Sequence, residues 1–143
     1  MSTTSTPYGG FLESLANKQL DLDSDTLKVM LLGSAYAYSD SHRYVADLGS
    51  NEVAGQGYTA GGAALSGVAV SYSSGTLTLS AQNVSWTDSS ITADYAIVYD
   101  ATPGSAATNP LICCINMGGA ESDTNGTFAV NWTNGQILQL VLG

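Results

Sequence analysis

Basic residues are scarce in this chain of 143 residues, which has three Lys or Arg against twelve Asp or Glu and a net charge of −9. Because phosphate groups repel an acidic surface, this balance argues against nucleic acid and against anionic membranes as partners. Long apolar runs are lacking too, and the first residues, MSTTSTPYGG, have neither the basic nor the apolar region of a signal peptide. We therefore expect synthesis in the cytoplasm, without a nucleic-acid or membrane partner.

Charged residues of both signs make up only 10% of the chain, whereas about 25% is usual in soluble domains. Hydrophobic residues make up 44%, which is enough for a packed core. The surface must therefore be covered by Ser, Thr, Asn, Gln and Gly, and such neutral surfaces suit extracellular or assembled proteins. The length predicts one domain, residues 1–143.

Cysteine and histidine are nearly absent, which leaves few candidates for catalysis or metal binding. Cys113 and Cys114 are adjacent in an apolar run, so in a strand they point to opposite faces and are expected to be reduced, packed thiols. His42, the single histidine, lies in a polar stretch that could form one helical turn and has no nucleophile motif beside it. We expect no enzyme and no cofactor. A glycosidase-type carboxylate pair among the twelve acidic residues stays open, but nothing in the sequence singles one out.

Short runs of alternating or continuous apolar residues predict an all-β protein of seven to eight antiparallel strands, a β-sandwich or jelly roll. The runs are TLKVMLL (26–32), GVAVSYS (67–73), TLTLS (76–80), NVSWT (83–87), TADYAIVYD (92–100), PLICCINM (110–117), TFAVNWT (127–133) and QILQLVLG (136–143). PLICCINM is apolar on both faces, as in a central strand. Ser74-Gly75 predicts a hairpin, and Asn134-Gly135, which suits a type I′ turn, predicts a second between the last two strands.

The start of the chain is polar and then amphipathic. Residues 1–7 predict a flexible tail, and residues 8–20 predict a short helix of two or three turns. Its apolar side chains share one stripe: Phe11, Leu12, Leu15 and Ala16. Because so short a helix is marginal in water, the stripe must be covered, and we favour the open end of the protein's own sandwich over a neighbouring subunit.

The stretch NEVAGQGYTAGGAAL (51–65) holds four glycines and could be mistaken for a phosphate-binding loop. Such a loop needs a glycine turn that opens a helix, but Gly61-Gly62 leads into another strand pattern, and no Lys or Arg follows Arg43. We interpret the stretch as architecture, an arm, bend or edge segment that other backbone approaches closely and that lies against neighbouring protein.

Asp21, Asp23 and Asp25 imitate the first half of a calcium loop. However, Thr26 stands where that loop needs glycine, and Leu32 stands where it needs a bidentate glutamate. We expect a solvated acidic turn, and an adventitious Ca²⁺ site is the open alternative.

Tyrosine is plentiful, with eight copies. The candidate protein-interface residues, which lie in polar or glycine-rich, loop-like surroundings, are Tyr36, Tyr38, Tyr44, Tyr58, Gly61 and Gly62. Exposed aromatic rings on a β-sandwich can stack on sugars or anchor a protein interface. The alternative is that half or more of the tyrosines pack on the edge of their own core.

Several blocks, taken in order over nearly the whole chain, resemble a family of small virion structural proteins of tailed bacteriophages. They are NKQLDLDSDTLKVMLLGSAY, DSH, EVAGQGYTAGGAAL, DYAIVYD and FAVNW…GQILQL, of which GYTAGG is the most recognisable part. The resemblance implies a non-enzymatic capsid decoration (cement) protein with a β-sandwich or jelly-roll core. It transfers no catalytic residue.

The resemblance also implies partners and a location. The major capsid protein would be one partner and the chain itself another, as a dimer or trimer on the capsid surface of the virion. Synthesis in the host cytoplasm and release by lysis would fit the absence of a signal peptide. A receptor- or carbohydrate-binding module of a phage tail or head fibre is the alternative, with Tyr36, Tyr38 and Tyr58 as its stacking platform.

Overall fold

The computed structural model describes residues 4–142, which form antiparallel sheets and one short α-helix. The elements are β1 (Thr4–Pro7), α1 (Gly9–Ala16), β2 (Leu27–Leu32), β3 (Ala63–Ala64), β4 (Ala69–Ser73), β5 (Thr76–Ser80), β6 (Val84–Ser89), β7 (Thr92–Asp100), β8 (Leu111–Ser122), β9 (Gly126–Val130) and β10 (Gln136–Val141), with 3₁₀ turns at Val45–Leu48 and Thr133–Gly135. The predicted all-β class and N-terminal helix are confirmed in an arrangement of the sandwich type. The described part of the chain has ten strands instead of seven or eight.

Three sheets enclose the hydrophobic core. The largest has the order β1-β8-β7-β2-β3, the second β10-β5-β4, and the third pairs β6 with β9. The apolar runs of β2, β7 and β8 lie at the centre of the five-stranded sheet, where both faces of a strand are covered. The first five residues of β8, Leu111 to Ile115, are accordingly all buried, and Cys113 and Cys114 are free thiols among them, as predicted.

The hairpin predicted at Ser74-Gly75 is confirmed. Ser74 has φ of 51° and Gly75 has φ of 81°, both in the left-handed region that a type I′ turn needs. Ser73 then pairs with Thr76, and β4 and β5 stay in register along all five residues of each strand. Local turn chemistry therefore determines this part of the second sheet.

The hairpin predicted at Asn134-Gly135 is wrong. Both residues do have positive φ, 56° and 73°, but β9 pairs with β6 and β10 pairs with β5. Trp132, just before the turn, donates from its indole nitrogen to the Gln82 carbonyl at 2.9 Å, which holds the end of β9 against the segment before β6. The turn therefore carries the chain from one sheet to another, because distant partners compete successfully with the nearest strand.

The predicted flexible tail is also wrong where the structure describes it. Residues 1–3 lie outside the described residues, but Thr4–Pro7 form β1, which pairs antiparallel with residues 113–116 of β8. Pro7 is tolerated there because β1 is an edge strand, where one side of the backbone needs no ladder partner.

The helix is shorter than predicted, and only Phe11 and Leu15 of the predicted stripe pack on the core. It runs from Gly9 to Ala16 instead of residues 8–20, and it packs on β8. Phe11 is fully buried, as expected for a helix that covers its own core, but Leu12 is 54% exposed. Ser14 is buried on the helix face that meets the core. Its hydroxyl is satisfied there, since its oxygen accepts a hydrogen bond of 3.1 Å from the Arg43 Nε atom.

The glycine stretch forms tight bends against the rest of the chain. Gly62 has φ of 82°, and a Cβ atom there would overlap the carbonyl oxygen of Val29 in β2. Gly57 has φ of 81°, and a Cβ atom there would lie 2.8 Å from the Cα atom of Ser89 in β6. The prediction that other backbone approaches this stretch closely is confirmed, and the approaching strands belong to the same chain.

Candidate functional site

Tyr36 and Tyr38 belong to an aromatic cluster beside β1. Tyr36 is 3% exposed, and its hydroxyl lies 2.7 Å from the Tyr8 hydroxyl and 3.0 Å from His42 Nδ1. Tyr38 stacks on Tyr8 with ring centroids 5.1 Å apart and donates a 2.6 Å hydrogen bond to the Pro7 carbonyl. The expectation of an exposed Tyr36 ring is therefore wrong, whereas Tyr38 keeps part of its ring accessible.

His42 belongs to the same aromatic cluster. Burial raises the pKa of Tyr36 to about 12, so the hydroxyl stays protonated and can donate to His42 Nδ1. Burial likewise raises the pKa of the nearby Cys114 thiol to about 11, which disfavours the nucleophilic thiolate. The observed contacts of His42 are with the Tyr36 hydroxyl and with the rings of Tyr8 and Tyr36.

Tyr58 and Gly61 lie in a second network, over the five-stranded sheet. The Tyr58 hydroxyl donates to Glu52 Oε2 at 2.6 Å and accepts from the Leu31 amide at 3.1 Å. The same Glu52 oxygen accepts from the Gly61 amide at 2.7 Å, and the Tyr99 hydroxyl donates to the Gly61 carbonyl at 2.5 Å. Burial, followed by the bond to Glu52, raises the pKa of Tyr58 well above its ordinary range, which keeps its hydroxyl a donor. The Tyr58 hydroxyl and both backbone polar groups of Gly61 therefore form hydrogen bonds within the protein.

Tyr44 lies in a third network, centred on Arg43. The Arg43 guanidinium forms an ion pair of 2.7 Å with Glu13, donates to Gln19 Oε1 at 2.7 Å, and sits 5.2 Å from the centroid of the Tyr44 ring. The Tyr44 hydroxyl donates to the same Gln19 oxygen at 2.9 Å. These contacts fasten α1 to the loop that precedes the first 3₁₀ turn.

The candidate interface residues are thus divided among three networks and do not form one surface. Tyr36 is buried and Tyr44 and Tyr58 are half-buried, which is the alternative in which tyrosines pack on their own core. Gly62 lies where the Val29 carbonyl comes too close for any Cβ atom. Residue type alone could not distinguish these arrangements, since the hydrogen-bond partners come from distant parts of the sequence.

The exposed apolar surface lies elsewhere, at one end of the second sheet. Tyr72 is 63% exposed, Val141 71% and Leu142 73%, and they are three of the five large apolar side chains that are exposed among residues 4–142. Val141 pairs with Thr76, Tyr72 pairs with Leu77, and the Leu142 amide donates to the Gly75 carbonyl at 2.7 Å, so all three lie near the Ser74-Gly75 turn, with Val141 on one face of the sheet and Tyr72 and Leu142 on the other. We call Tyr72, Val141 and Leu142 the sheet tip. Sequence analysis missed it, although a tyrosine between serines beside a turn is a signal for exposure.

The acidic residues of 21–25 form a turn that binds its own backbone. Asp21 Oδ1 accepts from the Asp23 amide at 3.0 Å and the Ser24 amide at 3.3 Å, and Asp25 Oδ2 accepts from the Asp21 amide at 2.9 Å. Hydrogen bonds from Ser24 and Asp23 lower the pKa of Asp21. Among the residues described, no group of three or more His, Cys, Asp or Glu could hold a metal ion. The geometry agrees with an acidic turn.

A groove of about 560 Å³ separates this acidic turn from the second sheet. Its apolar lining includes Leu20, Leu22, Val70 and Leu77, and Lys18 and three aspartates line it as well. A small apolar group with a neutral or positive end would fit its chemistry.

Asp100, at the end of β7, is an acidic residue that sequence analysis did not single out. It is fully buried, its Oδ1 accepts from the Thr102 amide at 2.9 Å, and no donor group among residues 4–142 bonds to its Oδ2, while the carboxyl of Asp25 lies close to its own. Burial, followed by the neighbouring Asp25 carboxyl, raises the pKa of Asp100 to about 7. The sequence did contain a signal for this residue, because Asp100 directly follows the apolar end of the β7 pattern.

We expect the stability of the protein to depend on pH through Asp100. Its pKa in the folded state, about 7, lies above its ordinary value of about 3.9, so the folded state binds more protons between these two values. The contribution to stability is complete below about pH 4 and is lost as the pH rises through 7. An Asp100→Asn variant should lose this slope and be more stable than the natural chain at pH 8 in urea unfolding.

The matched control for this prediction is Asp94→Asn, on the same strand but only half-buried. The control should keep the pH dependence of the natural chain between pH 5 and pH 8. Equal slopes in the natural chain and in Asp100→Asn would contradict the assignment to Asp100.

Comparison of the chain with protein-family models, with curated proteins and with solved structures finds no match. Within residues 4–142, no helix has the length and apolar character to cross a membrane. The arguments on function therefore rest on the sequence pattern and on the geometry described above.

Proposed function

We propose that this chain is a non-enzymatic virion structural protein of a tailed bacteriophage. Its proposed role is that of a capsid decoration (cement) protein on the capsid surface, which binds the lattice of the major capsid protein and stabilises it. The resemblance of the sequence blocks around GYTAGG motivates this proposal. The single structural observation that supports it is the sheet tip, an exposed apolar group on a chain with only 10% charged residues.

The sheet tip has the chemistry of an interface that is covered on assembly. Aromatic and aliphatic side chains release water when a partner covers them, and no charge has to be desolvated at the same time. The nearest stretch of chain is neutral, since residues 53–87 contain no Asp, Glu, Lys or Arg. A protein repeated over a lattice needs such contacts at many identical positions.

The fibre alternative has less support from the geometry. Its stacking platform needed exposed rings at Tyr36, Tyr38 and Tyr58, but only Tyr38 is exposed, at 36%. Tyr72 is a possible replacement, yet a single ring makes a small sugar platform.

The proposal predicts a defined position in the virion. Electron microscopy of phage particles that carry a labelled copy should show the label over the whole head. Heads assembled without the protein should break at a lower temperature than complete heads, because the contacts between capsid subunits lose area. A label at the tail alone, or heads with unchanged heat resistance, would refute the decoration role, and the first result would favour the fibre alternative.

A Val141→Ser, Leu142→Ser double variant tests the sheet tip. Both side chains are more than two-thirds exposed, so the free protein should keep its stability within about 0.5 kcal/mol. Binding of the variant to heads that lack the protein should weaken at least tenfold. Leu12→Ser, at a 54% exposed residue on α1, is the control, and its binding should not change.

A further inference from the structure

Strand β4 is an open edge of the second sheet, and its free backbone groups can be assigned. The Leu142 amide donates to the Gly75 carbonyl, so the odd-numbered residues of the Gly75 to Leu79 segment bond to β10. The even-numbered residues of β5 must then bond to β4, where they pair with Ala69, Ser71 and Ser73. The backbone N–H and C=O groups of Val70 and Tyr72 therefore point away from the sheet.

This edge lacks the devices that usually prevent pairing with another chain. Its five residues, AVSYS, include no Lys, no proline and no bulge against β5. Four of the five residues are exposed, and Tyr72, at 63%, has the largest apolar surface to bury. The stretch that contains β4, residues 53–87, carries no charged side chain of its own, and the nearest charges given for this edge are Lys18 and the three aspartates of the groove beside Val70.

The sequence of β4 is complementary to itself in the antiparallel direction. If a two-fold axis passes beside Ser71, then Val70 lies opposite Tyr72 of the second copy, and Ala69 lies opposite Ser73 of the second copy. Val70 and Tyr72 are the residues with outward-facing backbone groups, so each such pair exchanges both of its hydrogen bonds. The pairing also places a β-branched residue across from an aromatic one, which is a favourable cross-strand pair.

We propose that two copies of the chain associate through β4 about a two-fold axis at Ser71. Their second sheets then join into one continuous antiparallel sheet of six strands, and each Tyr72 ring packs on Val70 of the second copy. This names a surface for the self-association, as a dimer or trimer, that the resemblance to virion proteins implies. It needs no capsid, so the purified chain tests it separately.

The two-fold register predicts which cysteine can cross-link. Ser71 lies opposite itself as a non-hydrogen-bonded pair, with Cα atoms about 4.5 Å apart, whereas two copies of Ser73 lie about 13 Å apart. Ser71→Cys should therefore form a covalent dimer on mild oxidation, and Ser73→Cys, at a residue that is also exposed, should not. The natural cysteines are both buried, so they should not contribute.

Sedimentation velocity supplies the second measurement. The natural chain should show a reversible monomer–dimer equilibrium, and Ser71→Lys, which sets two like charges opposite each other, should weaken the dimer at least tenfold. Ser73→Lys faces Ala69 of the second copy and should weaken it less. A natural chain that stays monomeric at every concentration would overturn the proposal, as would a dimer that neither Ser71→Cys traps nor Ser71→Lys weakens. Either result would leave the virion experiments on the proposed function unaffected.

Discussion

A Gly62→Ala variant is expected to lose about 4 kcal/mol or more of its free energy of unfolding, which is exceptional for the addition of one methyl group. Two effects combine at this residue. Its φ of 82° costs an L-residue about 1 to 2 kcal/mol, and its Cβ atom would overlap the Val29 carbonyl oxygen. Val29 is fully buried in β2 and paired with Ala63 of β3, so the backbone cannot move aside without breaking that contact.

Gly75→Ala separates the two effects. Gly75 has φ of 81°, nearly the value of Gly62, but nothing lies within 4 Å of its Cβ position. This control should lose only the conformational cost, about 1 to 2 kcal/mol. Urea unfolding of both variants measures the difference. Equal losses would show that the close approach of the Val29 carbonyl is unimportant.

Phe11→Ala is expected to cost about 3 kcal/mol of stability in the isolated protein, as the loss of a buried aromatic side chain does. Phe11 has no solvent-accessible surface in the single chain, because α1 packs on β8 of the same chain. Calorimetry or urea unfolding can measure the loss. Leu12→Ala, at a 54% exposed residue, should stay within about 0.5 kcal/mol of the natural chain. An isolated Phe11→Ala protein as stable as the natural one would contradict the observed packing.

The class of the fold could be predicted because alternation and turn chemistry are local signals. The runs that became β2 and β4 to β10 all have apolar residues at strand spacing. By contrast, β1 and β3 contain four and two residues with no such pattern. They are strands only because β8 and β2 offer backbone groups at the sheet edges.

Partner choice could not be predicted from local sequence. Asn134-Gly135 has the backbone conformation that its residue types favour, yet β9 and β10 join different sheets. The tyrosines show the same limit on a smaller scale. The Tyr58 hydroxyl reaches the Leu31 amide, 27 residues away, and the Tyr8 hydroxyl reaches Tyr36, 28 residues away. Which rings remain exposed depends on these distant contacts.

The pairing of β1 with β8 sets an order of events during protein synthesis. Residues 4–7 find their partners only when residues 113–116 have been made, roughly 100 residues later. At about 5 to 20 residues per second, the ribosome needs roughly 5 to 20 s for that interval. Throughout it Phe11 has no β8 to pack against. The nascent chain therefore presents an uncovered amphipathic segment that a chaperone can bind, and the segment closes over the core only after residues 113–116 have been made.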